Sequence, residues 1–106
     1  MAEARELERI FRALSVETRV RIVQLLKGRT LCVNALATRL EVTPAAVSQH
    51  LRVLRDAELV IPEKRGYYVH YRLNPETLEI WRRQAGELLE PPEKRSEASP
   101  ATRSGG

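Results

Sequence analysis

A chain of 106 residues, with 42% hydrophobic and 30% charged residues, has the size and composition of one globular domain. Its formal net charge of +4 at pH 7 favours an anionic partner, and no apolar run approaches the roughly 20 residues that a membrane-spanning helix needs. A single cysteine excludes an intrachain disulfide, and because the N-terminus is charged rather than signal-like, we expect a cytoplasmic protein with no membrane partner.

Two helices are predicted before residue 29. Residues 3–14 form an amphipathic helix whose charged face lies opposite an apolar stripe that must pack on the core or on a second chain. The stripe consists of Leu7, Ile10, Phe11 and Leu14. Ser15 is expected to cap the second helix, with Glu17 in its first turn and Gly28 at its end. This second helix is apolar around much of its circumference and is therefore predicted to be the central core helix. Its apolar residues are Val20, Ile22, Val23, Leu25 and Leu26.

A helix-turn-helix is predicted between residues 33 and 57 from two apolar patterns with helical spacing. The first pattern is Val33, Leu36 and Leu40, and the second is Val47, Leu51 and Leu54. Thr43 is expected to cap the second helix and Pro44 to occupy its first position, so that this helix runs to about Ala57. Small residues at its start allow close approach to a surface, and polar and basic ones further on can reach base edges and phosphates. This outward face carries Ala45, Ser48, Gln49, Arg52 and Arg55.

Residues 59–73 predict a β-hairpin with a basic tip. Two extended segments flank a turn at Lys64-Arg65-Gly66, and Pro62 places the first of them at a sheet edge. Alternation assigns one face of the second segment to Tyr67, Val69, Tyr71 and Leu73, and the other face to Tyr68, His70 and Arg72. A helix-turn-helix followed by a basic hairpin is a winged helix, and this combination favours DNA binding over plain scaffolding.

Asn74 and Pro75 are expected to start a last helix over residues 76 to about 90. Its apolar stripe is Leu78, Trp81, Ala85 and Leu88. Such a stripe can cover the core of its own chain or pair with the first helix of a second subunit, and the spare stripe on the first helix favours a dimer. Because the end of the chain holds no large apolar side chain, we predict a folded domain over residues 1–90 and a disordered tail over 91–106.

Three segments carry the most specific patterns in the chain: FRALSVETRVRIVQLL, LCVNALATRLEVTPAAVSQHLRVLRDAELV and KRGYYVHYRLN. Together, between about Leu7 and Leu89, they resemble the ArsR/SmtB family of bacterial winged-helix repressors, and VSQHLRVLRDAELV is the specific part. The resemblance implies a mainly α winged helix-turn-helix fold with a small β-hairpin, ordered as four helices, two strands and a fifth helix. It also implies a homodimer joined through the first and last helices, which represses transcription until an inducer binds.

By position, the resemblance assigns contacts with double-stranded DNA to the second helix of the pair and to the wing. The residues are Thr43, Ala45, Ser48, Gln49 and His50 in the major groove, Arg52 near the adjoining phosphates, and Lys64, Arg65 and Tyr67 in the wing. His50 borders the apolar face of its helix, so a packed, hydrogen-bonded histidine is the alternative to a DNA contact. The dimer interface implied by the same resemblance consists of Leu7, Ile10, Phe11, Leu78, Trp81, Ala85 and Leu88.

Many relatives hold a soft metal or arsenite with a Cys-x-Cys pair, and here Cys32 stands at the first position and Asn34 at the second. One thiolate supplies one ligand, and residues 75–90 contain no histidine for the zinc site of other relatives. We therefore predict no metal and no other cofactor, and the inducer is not identified. Cys32 is then a small buried hydrophobe, a redox-responsive thiol, or a metal ligand together with a residue such as His70.

The leading hypothesis is a sequence-specific, homodimeric repressor that places its two 44–57 helices in major grooves of a palindromic operator, with half-sites about 34–36 Å apart. Ser48 and Gln49 would read bases, and phosphates would be bound by Arg52, Lys64 and Arg65. The alternatives are a winged-helix protein-interaction module without DNA readout, and a repressor that responds to redox state through Cys32. An enzyme is not supported, because the sequence has no Gly-rich phosphate loop and no nucleophile paired with a base.

Overall fold

The computed structural model describes residues 2–93, which form five helices and three strands. The helices are α1 (Ala4–Ala13), α2 (Glu17–Leu25), α3 (Val33–Leu40), α4 (Pro44–Asp56) and α5 (Pro75–Leu89). The strands are β1 (Leu31–Cys32), β2 (Val60–Arg65) and β3 (Tyr68–Leu73). The predicted winged helix-turn-helix is confirmed. The disordered tail predicted over residues 91–106 lies, apart from its first three residues, outside the described residues.

Local hydrogen bonds decide where α4 and α5 begin. The Thr43 hydroxyl oxygen accepts a hydrogen bond from the Ala46 backbone N–H at 3.1 Å, and Asn74 Oδ1 accepts one from the Glu76 N–H at 3.1 Å. Each cap is followed by a proline at the first helical position. A backbone N–H at this position would have no partner within the helix, so proline, which lacks the N–H, loses no hydrogen bond there. The predicted Thr43 cap and the predicted start of the last helix after Asn74 are confirmed.

The predicted cap of α2 is wrong. Ser15 Oγ donates a hydrogen bond back to the Arg12 carbonyl oxygen at 2.9 Å, so this side chain closes α1 instead of opening α2. The capping position belongs to Val16, whose side chain has no hydrogen-bond acceptor. Glu17 does lie in the first turn of α2, as predicted, where its charge complements the helix dipole.

Two glutamates with left-handed backbone follow α3 and α4. Glu41 has φ 59° and Glu58 has φ 64°, a region that costs a residue with a side chain about 1–2 kcal/mol. After α4, the Leu59 N–H donates a hydrogen bond to the Leu54 carbonyl oxygen at 2.9 Å, and this bond closes the chain reversal at the end of the helix. These two reversals place the short turn before α4 and lead the chain from α4 into the wing.

The strands form one antiparallel sheet in the order β1-β3-β2. The sequence predicts a loop over residues 29–31, whereas Leu31 pairs with Tyr71 and Cys32 with His70 to add a third strand to the hairpin. Strand β2 lies at the edge of the sheet, so Pro62, which has no N–H to donate, is tolerated there as predicted.

The hairpin turn lies further along the chain than predicted. Gly66, with φ 64°, and Tyr67 form the turn, so Lys64 and Arg65 belong to β2 instead of the tip. Arg65 pairs with Tyr68 as the last rung before the turn. Tyr67 is consequently 99% exposed, and its predicted place on the apolar face of β3 is wrong.

The core lies where α2, α3, α4 and the sheet meet. Its fully buried side chains are Ile22, Leu26, Leu36, Leu51, Leu54, Leu59, Val47 and Val60. Strand β3 adds Leu73, with Tyr71 packed beside it, as the alternation predicted. Within α2 only Ile22 is buried, and Val20 is 37% exposed. Helix α2 belongs to the core as predicted, since Val23 and Leu25 pack against it and Leu26 is buried directly after the helix, but α3 and α4 each bury three residues, so α2 is not the central helix.

The first and last helices lie against each other outside this core. Leu7 and Ile10 of α1 are 8% and 3% exposed within the single chain, and Trp81 of α5 is half-buried. Between residues 2 and 93, none of the helices has the length and apolarity needed to cross a lipid bilayer.

Candidate nucleic-acid interface

Burial on one side of α4 fixes which of its residues face solvent. Val47, Leu51 and Leu54 are at most 1% exposed and anchor the helix on the core. The residues on the opposite side are exposed, as predicted: Ala45, Ser48, Gln49, Arg52 and Arg55. No acidic residue occurs between positions 43 and 55, so this part of the surface presents small, polar and basic groups to an anionic partner, and the exposed Asp56 ends the helix.

Thr43 is exposed at the N-terminus of α4 and serves as its cap. The hydroxyl oxygen accepts the Ala46 N–H, while the O–H of the same group can still donate. A helix N-terminus favours negative charge, so capping by Thr43 and a contact to a phosphate oxygen are compatible.

His50 is half-buried on the side of α4 that faces α2. Its Nδ1 lies 3.4 Å from Arg19 Nη1, an arrangement in which the neutral imidazole accepts a hydrogen bond from the guanidinium. Burial, and then the charge of Arg19, lower the pKa of His50 below its ordinary value of 6.5. The packed, hydrogen-bonded alternative is the one that the geometry favours for this residue.

Arg19 joins α1, α2 and α4, and sequence reasoning missed it. Besides its contact with His50, its Nε donates to the Ala13 carbonyl oxygen at 2.7 Å and its Nη2 to the Arg12 carbonyl oxygen at 3.0 Å. These carbonyls belong to the last turn of α1, where a cation complements the helix dipole. Because Arg19 and His50 are 31 residues apart, no local pattern could have indicated the contact.

The wing presents basic residues beside a carboxylate that the sequence analysis also missed. Lys64 and Arg65 are exposed, as predicted for a DNA-contacting wing. Glu63 accepts hydrogen bonds from Arg72 Nε at 2.5 Å and from Arg65 Nη2 at 3.2 Å. These bonds, that from Arg72 first, lower the pKa of Glu63, so the carboxylate is ionised at neutral pH and offsets part of the wing's positive charge. The i, i+2 spacing of Glu63 and Arg65 could have indicated this contact from the sequence, because side chains two residues apart lie on the same face of a strand.

Cys32 stands at the end of β1, directly before α3. Its side chain is half-buried, and its cross-strand partner is His70, whose buried Nδ1 has no hydrogen-bond partner among residues 2–93. Asn34 and Tyr68 line the shallow cleft beside it. In the part of the chain that the structure describes, no three His, Cys, Asp or Glu residues come together as a metal-binding group.

The two apolar stripes predicted for a dimer are used differently by the single chain. Leu7 and Ile10 are buried within the single chain, in which α1 contacts α5, and Leu78 and Trp81 pack against the core. Ala85 is half-buried. Four large apolar side chains on these helices stay exposed, namely Phe11 at 41%, Ile80 at 41%, Leu88 at 47% and Leu89 at 69%. The sequence stripes included Phe11 and Leu88 but not Ile80 and Leu89.

Comparison with known proteins places this architecture among bacterial regulators. The sequence model of the family described as "Bacterial regulatory protein, arsR family" matches residues 17–61, from α2 into β2. The chain is 43% identical over 67 residues to the arsenical resistance operon repressor of Escherichia coli K12, covering 62% of this chain. The alignment spans 57% of the length of that repressor.

Two solved structures show the same fold. An ArsR-like transcriptional regulator from Rhodococcus sp. RHA1 is 35% identical, with a TM-score of 0.70 over 78% of each chain. The homodimeric winged helix-turn-helix DNA-binding domain of Mb0332 from Mycobacterium bovis is 26% identical, with a TM-score of 0.65 over 80% of this chain and 82% of that one.

Proposed function

Since this chain belongs to the ArsR family of bacterial regulatory proteins, we propose that it is a homodimeric, sequence-specific transcriptional repressor that binds a palindromic operator. The observation that carries this proposal is the exposed face of α4, which has no acidic residue from Thr43 to Arg55, with Asp56 following at the last position of the helix, and which is anchored on its other side by the core. The centre of a protein-docking face is apolar and rich in aromatic side chains, whereas this face is small, polar and basic.

Different residues of this face and of the wing have different tasks in the proposed complex. Ser48 and Gln49 reach base edges in the major groove, and Ala45 allows the helix to approach closely. Thr43 and Arg52 bind phosphates at either end of the reading surface, and Lys64, Arg65 and Tyr67 bind the neighbouring stretch of DNA from the wing. His50 supports α4 from the side through Arg19.

The proposed dimer is formed by α1 and α5 of both subunits. The exposed side chains of Phe11, Ile80, Leu88 and Leu89 supply apolar area that a second copy would cover. Leu7 and Ile10, being nearly buried already, support this surface from beneath. The Mb0332 domain from Mycobacterium bovis, which shares the fold, is homodimeric. A two-fold axis would set the two α4 helices on half-sites about 34–36 Å apart.

Selection from a pool of random duplexes tests the proposal. We expect enrichment of an imperfect palindrome whose half-sites are one helical turn apart, with one dimer bound per site in sedimentation analysis. Gln49→Ala should change the preference among bases within each half-site, because a bidentate side chain discriminates bases by about 1–3 kcal/mol. No enriched motif at moderate salt would instead indicate the protein-interaction module. A uniform loss with Gln49→Ala would make Gln49 a positioning residue.

A further inference from the structure

A polar cleft separates α4 from strand β3 of the wing. It has a volume of about 140 Å³ and is lined by Ser48, Leu51, Arg52, Arg55 and Tyr71. Leu51 is 1% exposed and belongs to the core, whereas the serine and the two arginines are exposed. The cleft is therefore a small depression with an apolar base and a rim of two guanidinium groups and two hydroxyl groups.

No ion pair within the described part of the chain neutralises the two arginines of this cleft. None of its lining residues is acidic, and neither Arg52 nor Arg55 takes part in any ion pair found between residues 2 and 93. The wing arginines differ, because Arg65 and Arg72 share the Glu63 carboxylate. Planar guanidinium forks match the geometry of phosphate oxygens, and hydroxyl groups can donate to the same oxygens. The cleft thus has the chemistry of a site for one tetrahedral oxyanion.

Its position in the fold indicates which oxyanion. In duplex DNA a single sugar-phosphate strand separates the major groove from the adjoining minor groove. A protein that places a helix in one groove and a wing against the next must therefore pass that strand between the two elements. The cleft lies between α4 and β3, where this strand would run.

We propose that this cleft binds one phosphate of the DNA backbone, and that Arg55 and Tyr71 are phosphate-binding residues together with Ser48 and Arg52. This inference rests on the proposed function, which it extends from the N-terminal half of α4 to its C-terminal half. The resemblance assigned neither Arg55 nor Tyr71 a contact with DNA.

Tyr71 gives this site its rigidity. Its ring packs against the core, and its backbone is held in the middle strand between Leu31 and Pro62. The hydroxyl makes no hydrogen bond to another side chain or backbone group within residues 2–93, and it can therefore bind a phosphate with little further loss of side-chain entropy. A phosphate held by Arg55 and Tyr71 would tie the reading helix to the wing and fix the angle between them.

The test measures affinity for the selected operator at several salt concentrations. Arg55→Ala should weaken binding about tenfold and lower the salt slope by about 1, because one phosphate contact is lost. Tyr71→Phe should weaken binding roughly threefold without changing the slope, because an uncharged donor is lost. Arg5→Ala is the matched control, since Arg5 is an exposed cation on α1 with no ion-pair partner within residues 2–93. Thermal unfolding of each variant separates a lost contact from a lost fold.

Operators that carry a single neutral methylphosphonate at successive positions locate the contact. We expect one position on each half-site at which neutralisation weakens the wild-type protein but leaves Arg55→Ala unaffected. The proposal would be overturned if Arg55→Ala bound the operator with the same affinity and salt slope as Arg5→Ala, or if no position were coupled to Arg55. In either case, operator binding by the wild type would still support the proposed function. A wild-type protein that binds no duplex would refute both.

Discussion

Replacing Arg19 by methionine should destabilise the fold, because this side chain holds three acceptors from two other helices. It donates to the Ala13 oxygen at 2.7 Å and to the Arg12 oxygen at 3.0 Å, and it lies 3.4 Å from His50 Nδ1. Hydrogen bonds from charged donors contribute about 1.5–3 kcal/mol each, but the Arg12 contact is exposed and the His50 contact is long, so we expect a loss of about 2 kcal/mol in all.

Urea unfolding at pH 7.5 measures this loss. Arg21→Met is the matched control, because Arg21 is an exposed arginine of the same helix and donates to no described residue. It should change the free energy of unfolding by less than about 0.5 kcal/mol. Equal values for Arg19→Met and Arg21→Met would refute the view that Arg19 joins α1 to α4.

The pH dependence supplies a second measurement on the same variant. Burial and Arg19 lower the pKa of His50 in the folded chain, so the unfolded chain takes up this proton first as the pH falls. Stability from this group is therefore complete above pH 6.5 and is lost as the pH falls from 6.5 through the lower folded pKa. In Arg19→Met the fall should be shallower, because one cause of the lowered pKa is gone. An unchanged pH profile would show that Arg19 does not act on His50.

Three further outcomes are expected. Arg65→Ala should weaken binding to all duplexes alike and lower the salt slope by about 1, and an unchanged slope in a fluorescence titration would remove the wing from the DNA complex. Glu58→Gly should raise the free energy of unfolding by about 1 kcal/mol, since φ 64° is favourable for glycine, and a loss in urea unfolding would show that the Glu58 side chain stabilises the α4 end. If Cys32 is a redox sensor, oxidant should weaken operator binding by the wild type but not by Cys32→Ser, and equal affinities under oxidant and reductant would make the thiol structural.

Local chemistry explains why the helix starts of the reading unit could be predicted. The Thr43 cap joins atoms three residues apart, and the Asn74 cap joins atoms two residues apart. The side of α4 that faces the core could also be predicted, because the helical spacing of Val47, Leu51 and Leu54 places these apolar side chains on one side of the helix. The reading face followed directly from that placement.

Elements that depend on a distant partner were missed. The two residues of β1 are too few for a sequence pattern and form a strand only because β3 supplies Tyr71 and His70 as partners. The hairpin turn moved to Gly66 and Tyr67 because the β2–β3 register, not the basic tripeptide, sets where the chain reverses. Ser15 was predicted to accept a hydrogen bond from the free N–H groups at the start of α2, but its hydroxyl instead donates to the Arg12 carbonyl oxygen of the preceding helix.

The sequence by itself determined the winged helix-turn-helix and the polar, basic face of α4, because both depend on apolar spacing and on caps that act within one helical turn. Only the tertiary structure decided that His50 packs beside Arg19, that Glu63 holds two wing arginines, and that Arg55 and Tyr71 line one cleft. Each of these arrangements except the Glu63–Arg65 pair joins residues at least nine positions apart. Their proximity depends on how α2, α4 and the strands pack, and packing is set by the whole core at once.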